Sequence, residues 1–316
     1  MELRQLRYFV GVSEAGSLLG ASTHLHVAQP ALGQQISSLE DELKVKLFKR
    51  STRGMSLTEE GRIFLEHAKV ILTDVDRAKE AVRHAATEPQ GQVVLGLPTT
   101  VALAATVPIV KACRERHPGI QLQVMEAYSG FLREWLQMGR LDLALLFGSE
   151  ADSGLSKRSL LEERLSLVTG PEHARLPKSI GLRQLAHMEL VLPGKEHGLR
   201  KIIDEVCFQH NVQLNIVAEI DSLTSVKKAV ASGIGSTILS QSSVIEEVNA
   251  GQLQAAIISG SAMRRRVVCA TSITRPTTQA GATVISLVTD LIHDMVASGM
   301  WPAQWIGERP LNAPKA

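Results

Sequence analysis

The stretch "VAQPALGQQI", Val27 to Ile36, places apolar residues at helical spacing, Ala28, Ala31, Leu32 and Ile36, yet carries a proline near its front and a glycine in its middle. In a helix interior these cost about 3 and about 1 kcal/mol respectively. Proline is harmless in the first helical turn, where backbone N–H groups have no intrahelical acceptor. Pro30 therefore marks a beginning. The spacing predicts a helix from about Gln29 into the Leu39 to Leu43 region, with Leu32, Ile36, Leu39 and Leu43 facing inward. Its outer face near the start presents Gln29, Gly33, Gln34 and Ser37. Glutamine reads adenine bidentately in the major groove, and a residue without a side chain lets a helix backbone approach the duplex. A DNA-recognition helix needs such an exposed, polar start. An ordinary surface helix shares these features, so the segment alone leaves both readings open.

The flanks add context. Leu3, Leu6, Phe9 and Val10 define one face of a first helix, with Gly16 beyond its end. Ser17 reads as the N-cap of a second, "LLGASTHL", and His26 and Val27 form the turn into the third. Lys44, Lys46, Lys49, Arg50 and Arg53 form a short basic run without an acid, suited to phosphate contact or to a solvated turn. Within it "KRSTRGMSLT" predicts a small β-hairpin. Residues 58 to 88 then read as one long helix, capped by Thr58 and ended by Pro89 and Gly91. Phe64, Ala68, Ile71, Val75, Ala78, Val82 and Ala85 are spaced alternately by 4 and 3, a heptad seam flanked by charges. Pairing with a second copy explains this stripe better than packing onto its own domain.

From Gln92 the texture changes to strands alternating with helices. "VVLGL", "IQLQVM", "LDLALLF", "LVLP", "LNIVAEI" and "STILS" are separated by helices over about Thr100 to His117, Ser129 to Met138, Gly198 to His210 and Ser222 to Ser232, with a last helix over about Thr278 to Ala297. This rhythm predicts an α/β fold with mostly parallel sheets, in two subdomains. The tail after Met300 has no clear period and reads as irregular.

Bulk properties fit such a chain. Its 316 residues suit two or three domains, and a net charge of +2 points to no particular partner. Three distant cysteines, Cys113, Cys207 and Cys269, imply no disulfide framework. No leader-like segment and no run of about 18 apolar residues is evident, so a cytoplasmic protein without a membrane partner is expected. A serine hydrolase finds one fragment, the S-x-x-K of Ser225 to Lys228, inside a helix and without its supporting motifs. Cys113 with His117 and Cys207 with His210 offer two metal ligands per helix, short of a closed site; a metal-responsive protein is the alternative they leave. A two-lobed solute-binding protein is a further alternative that leaves the first 90 residues unexplained. No catalytic residues, bound metal or cofactor are expected.

The run "SLLGASTHLHVAQPALGQQISSLEDELKVKLFKRSTRGMSLTEEG" resembles the N-terminal domain of the LysR-type transcriptional regulators. The resemblance rests on Ser17, Ala21, Leu25, Gln29 to Leu32, Gln35, Ile36, Leu39, Glu40, Leu43, Leu47, Phe48, Arg50 and Thr58 to Gly61. Within the family the chain is most similar to the nitrogen assimilation control branch. It departs from the family pattern at Ala28 and Gly33, where serine is usual, at Leu19 for threonine, and at Lys44 for glycine. Losing a serine at position 28 removes an N-cap worth about 1 kcal/mol.

The resemblance implies a winged helix-turn-helix over residues 1–57 and a linker helix over 58–89 that dimerises through Phe64, Ala68, Ile71, Val75, Ala78 and Val82. A two-lobed effector domain akin to periplasmic binding proteins follows over 90–300: lobe I about 90–161 and 268–300, lobe II about 162–267. A tail covers 301–316. The implied DNA-binding set is Ser17, Gln29, Pro30, Gly33, Gln34, Gln35, Arg50 and Arg53, with the two arginines in the wing. Partners would be operator DNA, a small-molecule effector, a second copy in a homodimer or homotetramer, and RNA polymerase. The effector would lie between the lobes, near Thr99, Thr100, Ser129, Phe147 and Gly148 on one side and Pro193, His197, Arg200, Ser222 and Thr224 on the other. Hydroxyls and amides at helix starts suit an anionic group, with charge from His197 or Arg200, so a carboxylate metabolite is expected.

Overall fold

The computed structural model describes residues 1–51, 54–83, 89–148, 154–260 and 263–308. The chain divides into two compact units, Met1–Thr87 and Glu88–Ala316.

The first unit contains α1 (Leu3–Ala15), α2 (Leu18–Leu25), α3 (Gln29–Leu43), the strands β1 (Phe48–Ser51) and β2 (Gly54–Leu57), and α4 (Glu59–Arg83). Its boundaries follow local chemistry. Gly16 ends α1 in the left-handed conformation, and Ser17 Oγ accepts the Gly20 amide at 3.0 Å to start α2. α3 starts without a side-chain cap at Ala28, as expected from the missing serine, and carries Pro30 in its first turn. Leu32, Ile36 and Leu39 are buried with Leu6, Phe9, Val12 and Ala21 in one core, and Leu43 packs against it. β1 and β2 pair antiparallel, Phe48 opposite Leu57, which gives the expected hairpin. Thr58 Oγ1 accepts the Gly61 amide at 2.9 Å and so caps α4.

The seam on α4 behaves differently from expectation over its first half. Ala68 is fully buried in the core of its own unit, Phe64 packs edge-on to Phe9 at 5.0 Å, and Ile71 lies against the same core. Ala68 is thereby corrected from a dimer contact to packing within the chain, while Phe64 and Ile71 are half-buried and help to lid the same core. Val75 is half-buried and Ala78 exposed, while the side chain of Val82 lies outside the described residues.

The second unit contains β3 (Gly91–Leu97), α5 (Thr99–Arg116), β4 (Ile120–Glu126), α6 (Ser129–Gln137), β5 (Leu143–Phe147), β6 (Leu155–Thr169), β7 (Ser179–Gly181), β8 (Glu189–Leu192), α7 (Gly198–Gln209), β9 (Asn215–Glu219), α8 (Leu223–Ala231), β10 (Thr237–Ser240), α9 (Ile245–Asn249), β11 (Gln254–Ser259), β12 (Arg264–Ser272), α10 (Gln279–Ala297) and β13 (Gln304–Trp305). The main sheet runs β4-β3-β5-β12-β6-β11-β7, with β10 and β13 also on β6.

β6 is the axle of this unit. Its first part, Leu155 to Arg164, pairs antiparallel with β12, and its second, Leu165 to Thr169, pairs antiparallel with β10 and β11. Lobe I gathers β3, β4, β5 and β12 with α5 and α10 on one face and α6 on the other. Lobe II packs α7 and α8 onto the far half of β6, β8 and β10. The sheets are therefore mixed rather than mostly parallel: β3 pairs parallel with β4 and β5, β8 with β9 and β11 with β7, whereas every partner of β6 is antiparallel. Residues 301–308 also pack against lobe I. Trp301 is 1% exposed, and β13 pairs with Leu161 and Glu162.

Candidate functional site

The first candidate surface is the outward side of α3. Gln29, Pro30 and Gln34 are exposed, and Gly33 and Gln35 half-buried, on the side opposite the core residues Leu32 and Ile36. A Cβ built on Gly33 would meet only Leu18 Cδ1, at 3.6 Å, so the glycine leaves this face open without being needed for packing. Ser17 is placed as a cap, its hydroxyl already holding the Gly20 amide. Lys44 ends α3 with φ of 59°, a left-handed position that glycine occupies at lower cost.

The hairpin is tethered at two points. The Met55 amide donates to Gly16 O at 2.8 Å, and a Cβ on Gly54 would fall 2.7 Å from that same oxygen. At the other end, Glu40 Oε1 accepts the amides of Leu47 at 2.9 Å and Phe48 at 3.2 Å, while Oε2 takes the Lys46 ammonium at 2.8 Å. Burial pushes the Glu40 carboxyl up, but the Lys46 ammonium and the two amides outweigh this and hold it below its ordinary value. One lysine of the basic run is thus partly neutralised, and Lys44 and Lys49 remain exposed. Arg53 and the side chain of Arg50 lie outside the described residues.

The second candidate site is a cleft between the lobes. Lobe I contributes Thr99 and Thr100 at the start of α5, Tyr128 and Ser129 at the start of α6, and Phe147 at the end of β5. Lobe II contributes Pro193, His197 and Gly198 at the start of α7, Asp221 and Leu223 at the start of α8, and Thr237 and Leu239 from β10. Four helix N-termini therefore open onto one space, which favours negative charge. Thr237 is wholly buried, and its Oγ1 finds no hydrogen-bond partner among the described residues. At the floor lies Arg265, 3% exposed, its guanidinium 4.0 Å over the Phe147 ring. Across the mouth, Tyr128 Oη donates to Asp221 O at 3.3 Å and its ring meets His197 edge-on at 4.7 Å. Burial pushes His197 down; nearby Asp221 opposes this and Arg265 adds to it, and the imidazole stays below its ordinary value. Its Nδ1 accepts the Leu199 amide at 3.1 Å, so His197 caps α7 as a neutral ring.

Of the residues proposed from the sequence, Thr99, Thr100, Ser129, Phe147, Pro193 and His197 line the cleft. Four other expected residues do not line it. Arg200 points away: it donates to Asp204 at 2.8 Å, Glu219 at 2.8 Å and Pro193 O at 3.1 Å, and so braces α7 against β8 and β9. Ser222 caps α8 through the Ser225 amide, and Thr224 faces a neighbouring groove with Leu103 and Lys227. Gly148 turns out of β5 with φ of 138°, donating to Arg266 O at 3.3 Å. The guanidinium of the cleft is that of Arg265, where the sequence reading offered His197 or Arg200 as the source of charge.

Comparison with known proteins matches these parts. Residues 3–62 fit the bacterial regulatory helix-turn-helix proteins of the lysR family, and residues 86–292 fit the LysR substrate binding domain. The chain belongs to the LysR family. Among its LysR relatives, the nitrogen assimilation regulatory protein nac of Klebsiella aerogenes is 36% identical over 77% of this chain and 79% of its own, in line with the branch read from the sequence. The HTH-type transcriptional regulator BbuR of Bordetella bronchiseptica is 32% identical over 94% of this chain and 92% of its own. Full-length CbnR complexed with its target DNA shares the fold, with a TM-score of 0.69 at 22% identity, covering 93% of this chain and 99% of that one. The protein is a LysR-type DNA-binding transcriptional regulator with an effector-binding domain.

Within this LysR frame the cysteine and histidine pairs have ordinary duties. All three cysteines are buried; burial pushes Cys113 up, Cys207 up to about 11 and Cys269 up to about 12, which leaves protonated thiols rather than nucleophiles. His210 Nδ1 lies 2.9 Å from Val206 O at the end of α7. Among the described residues no group of three His, Cys, Asp or Glu side chains is arranged to hold a metal.

The sequence reading missed Arg265, Thr237, Tyr128 and Asp221. One signal for Arg265 was available: in "RRRVVCA", Arg264 to Ala270, strand alternation puts Arg265 on the same face as Val267, which belongs inside.

Proposed function

We propose that this regulator senses a small carboxylate-bearing metabolite in the cleft between its lobes and binds operator DNA through the outward face of α3. The carrying observation is the convergence of four helix N-termini on a space floored by a buried guanidinium and a threonine hydroxyl with no partner among the described residues. Apolar walls from Pro98, Phe147, Leu199 and Leu239 suit a ligand with a compact carbon body. On the DNA side, Gln29 and Gln34 read base edges, Pro30 fixes the approach of α3, and the lysines beside the hairpin engage phosphates.

A second copy pairs along α4 beyond Ile71, where Val75 and Ala78 continue the seam outside the core of the first unit. Such pairing sets two reading heads apart on one duplex, and two dimers form a tetramer that bends the DNA between half-sites. The protein acts in the cytoplasm, where it meets promoter DNA and RNA polymerase.

The test is a thermal-shift screen of small organic acids on the full-length protein, followed by titration of upstream DNA with and without each hit. A ligand specific to the native state raises the midpoint by mass action. We expect at least one acid to do so and to change DNA affinity; a complete set without effect contradicts the carboxylate reading.

A further inference from the structure

Arg265 and Glu163 form an ion pair where the chain crosses between lobes, and both are almost fully buried, at 3% and 1% exposure. Arg265 Nε donates to Glu163 Oε1. Its Nη2 donates both to Thr100 Oγ1 in lobe I at 2.9 Å and to Ser240 Oγ in lobe II at 2.8 Å. The second oxygen of Glu163 accepts Ser242 Oγ at 2.9 Å and the Trp301 indole at 3.1 Å. Ser240 and Ser242 hydroxyls lie 3.1 Å apart, which closes the ring. The guanidinium is therefore fixed on one edge by a carboxylate, on another by two hydroxyls, and on one face by the Phe147 ring. Nη1 donates to none of the described residues, and Arg265 lines the cleft.

A buried ion pair is a poor stabiliser, since desolvation offsets most of its attraction; an apolar pair of similar volume is commonly as stable. Keeping an arginine here, held by three groups with one nitrogen unused, fits reading a charge better than holding the fold. We propose that Arg265 is the residue that selects an anionic ligand in the cleft, and that Glu163 is its positioning residue and opposing charge. This rests on the carboxylate reading above and adds the residue that enforces it. A carboxylate at Nη1 would share the cleft with Thr100 and Thr237, and it would engage a side chain bonded to both lobes. The ligand group it takes is one compact anion, since the other donors of the guanidinium are engaged. Glu163 sets the threshold: its charge offsets part of the attraction that Arg265 exerts on an anion, whereas a neutral amide of the same shape carries no net charge for either group to act on.

The experiment uses the full-length protein and calorimetric titration with acetate, benzoate and succinate against acetamide, benzamide and succinamide. Glu163→Gln removes the opposing charge and keeps an acceptor; we expect the acids to bind about tenfold more tightly and the amides to be unchanged. Arg265→Gln alone leaves a lone buried carboxylate and risks unfolding, so the double variant Glu163→Gln/Arg265→Gln is used, with no orphan charge. In it the preference for acid over amide should fall about 10- to 100-fold, the range for a lost charge-assisted hydrogen bond. An unchanged preference in a folded double variant overturns the assignment, as does Glu163→Gln weakening acids and amides alike, which is the mark of a purely structural pair. Absence of any acid binding to the wild type overturns the carboxylate reading itself and this assignment with it.

Discussion

Removing the carboxylate of Glu40 should loosen the hairpin beside the recognition helix and leave the helix itself formed. The residue is 6% exposed and its Oε1 serves two backbone amides, Leu47 and Phe48, at the bend between α3 and β1. Hydrogen bonds to a charged group contribute about 1.5–3 kcal/mol each. Glu40→Ala strands both amides and should cost about 3–5 kcal/mol; the contact with the exposed Lys46 adds little. Glu40→Gln keeps one oxygen for the amides but turns an NH2 group toward Lys46, and should cost about 1–2 kcal/mol. The pH dependence has a definite sign. Glu40 has a folded pKa below its ordinary 4.5, so its stabilisation is fully present above that value and is lost as pH falls through the folded pKa. Hydrogen exchange at the Leu47 and Phe48 amides, with urea unfolding by circular dichroism, reads both effects. We expect the gap between wild type and Glu40→Gln to be full at pH 7 and to close on acidification. Equal stability at pH 7, or a gap that persists in acid, would refute the reasoning.

Three more expectations follow from single positions. Gly33→Ser has room, with 3.6 Å to Leu18 Cδ1, and should raise the thermal midpoint through about 0.5 kcal/mol of helix propensity while leaving the fold intact; a lower midpoint would show the glycine is needed. Gly61→Ala puts a Cβ 2.1 Å from Leu47 O, a backbone atom, so the start of α4 must shift; we expect more than about 2 kcal/mol lost in urea unfolding, and a neutral result would contradict the packing. Arg200→Ala strips the brace to Asp204, Glu219 and Pro193 and should destabilise lobe II by about 2–4 kcal/mol; calorimetry at a temperature where the variant is folded should show acid binding intact, and its loss would return Arg200 to the site.

What was legible in the sequence was local. Pro30 and the 4-3-4 spacing of Leu32, Ile36, Leu39 and Leu43 define α3 within one segment, and Ser17 announces α2 three residues before the amide it caps. The helix starts that border the cleft were readable for the same reason. The hinge was not. Lys157, Arg158, Glu162, Glu163 and Arg164 break up the apolar pattern of β6, and β12 opens with three arginines, so neither segment shows a plain strand alternation. Their charges cancel in the fold, Glu163 against Arg265 and Glu162 against Arg264 at 2.8 Å, between positions 102 residues apart. Without these antiparallel strands the sheets look mostly parallel, and His197 and Arg200, near a helix start, look like the sources of charge in the cleft. The α4 seam misled in another way, since one heptad stripe serves the core of its own unit at Phe64 and Ala68 before continuing outward. Trp301, in a segment that has no period of its own, packs into the core of lobe I and donates its indole N–H to the Glu163 carboxylate.

The central claim is that α3 reads bases with its amide-bearing face. The most direct measurement compares wild type with Gln29→Ala/Gln34→Ala, both exposed positions, for binding to the protein's own upstream DNA and to an unrelated duplex across a salt series. The account predicts that the double variant loses about 10- to 100-fold or more on the upstream site, while its affinity for unrelated DNA and its salt slope stay unchanged. Equal affinity of variant and wild type for the upstream site, or an equal loss on both duplexes, would contradict it.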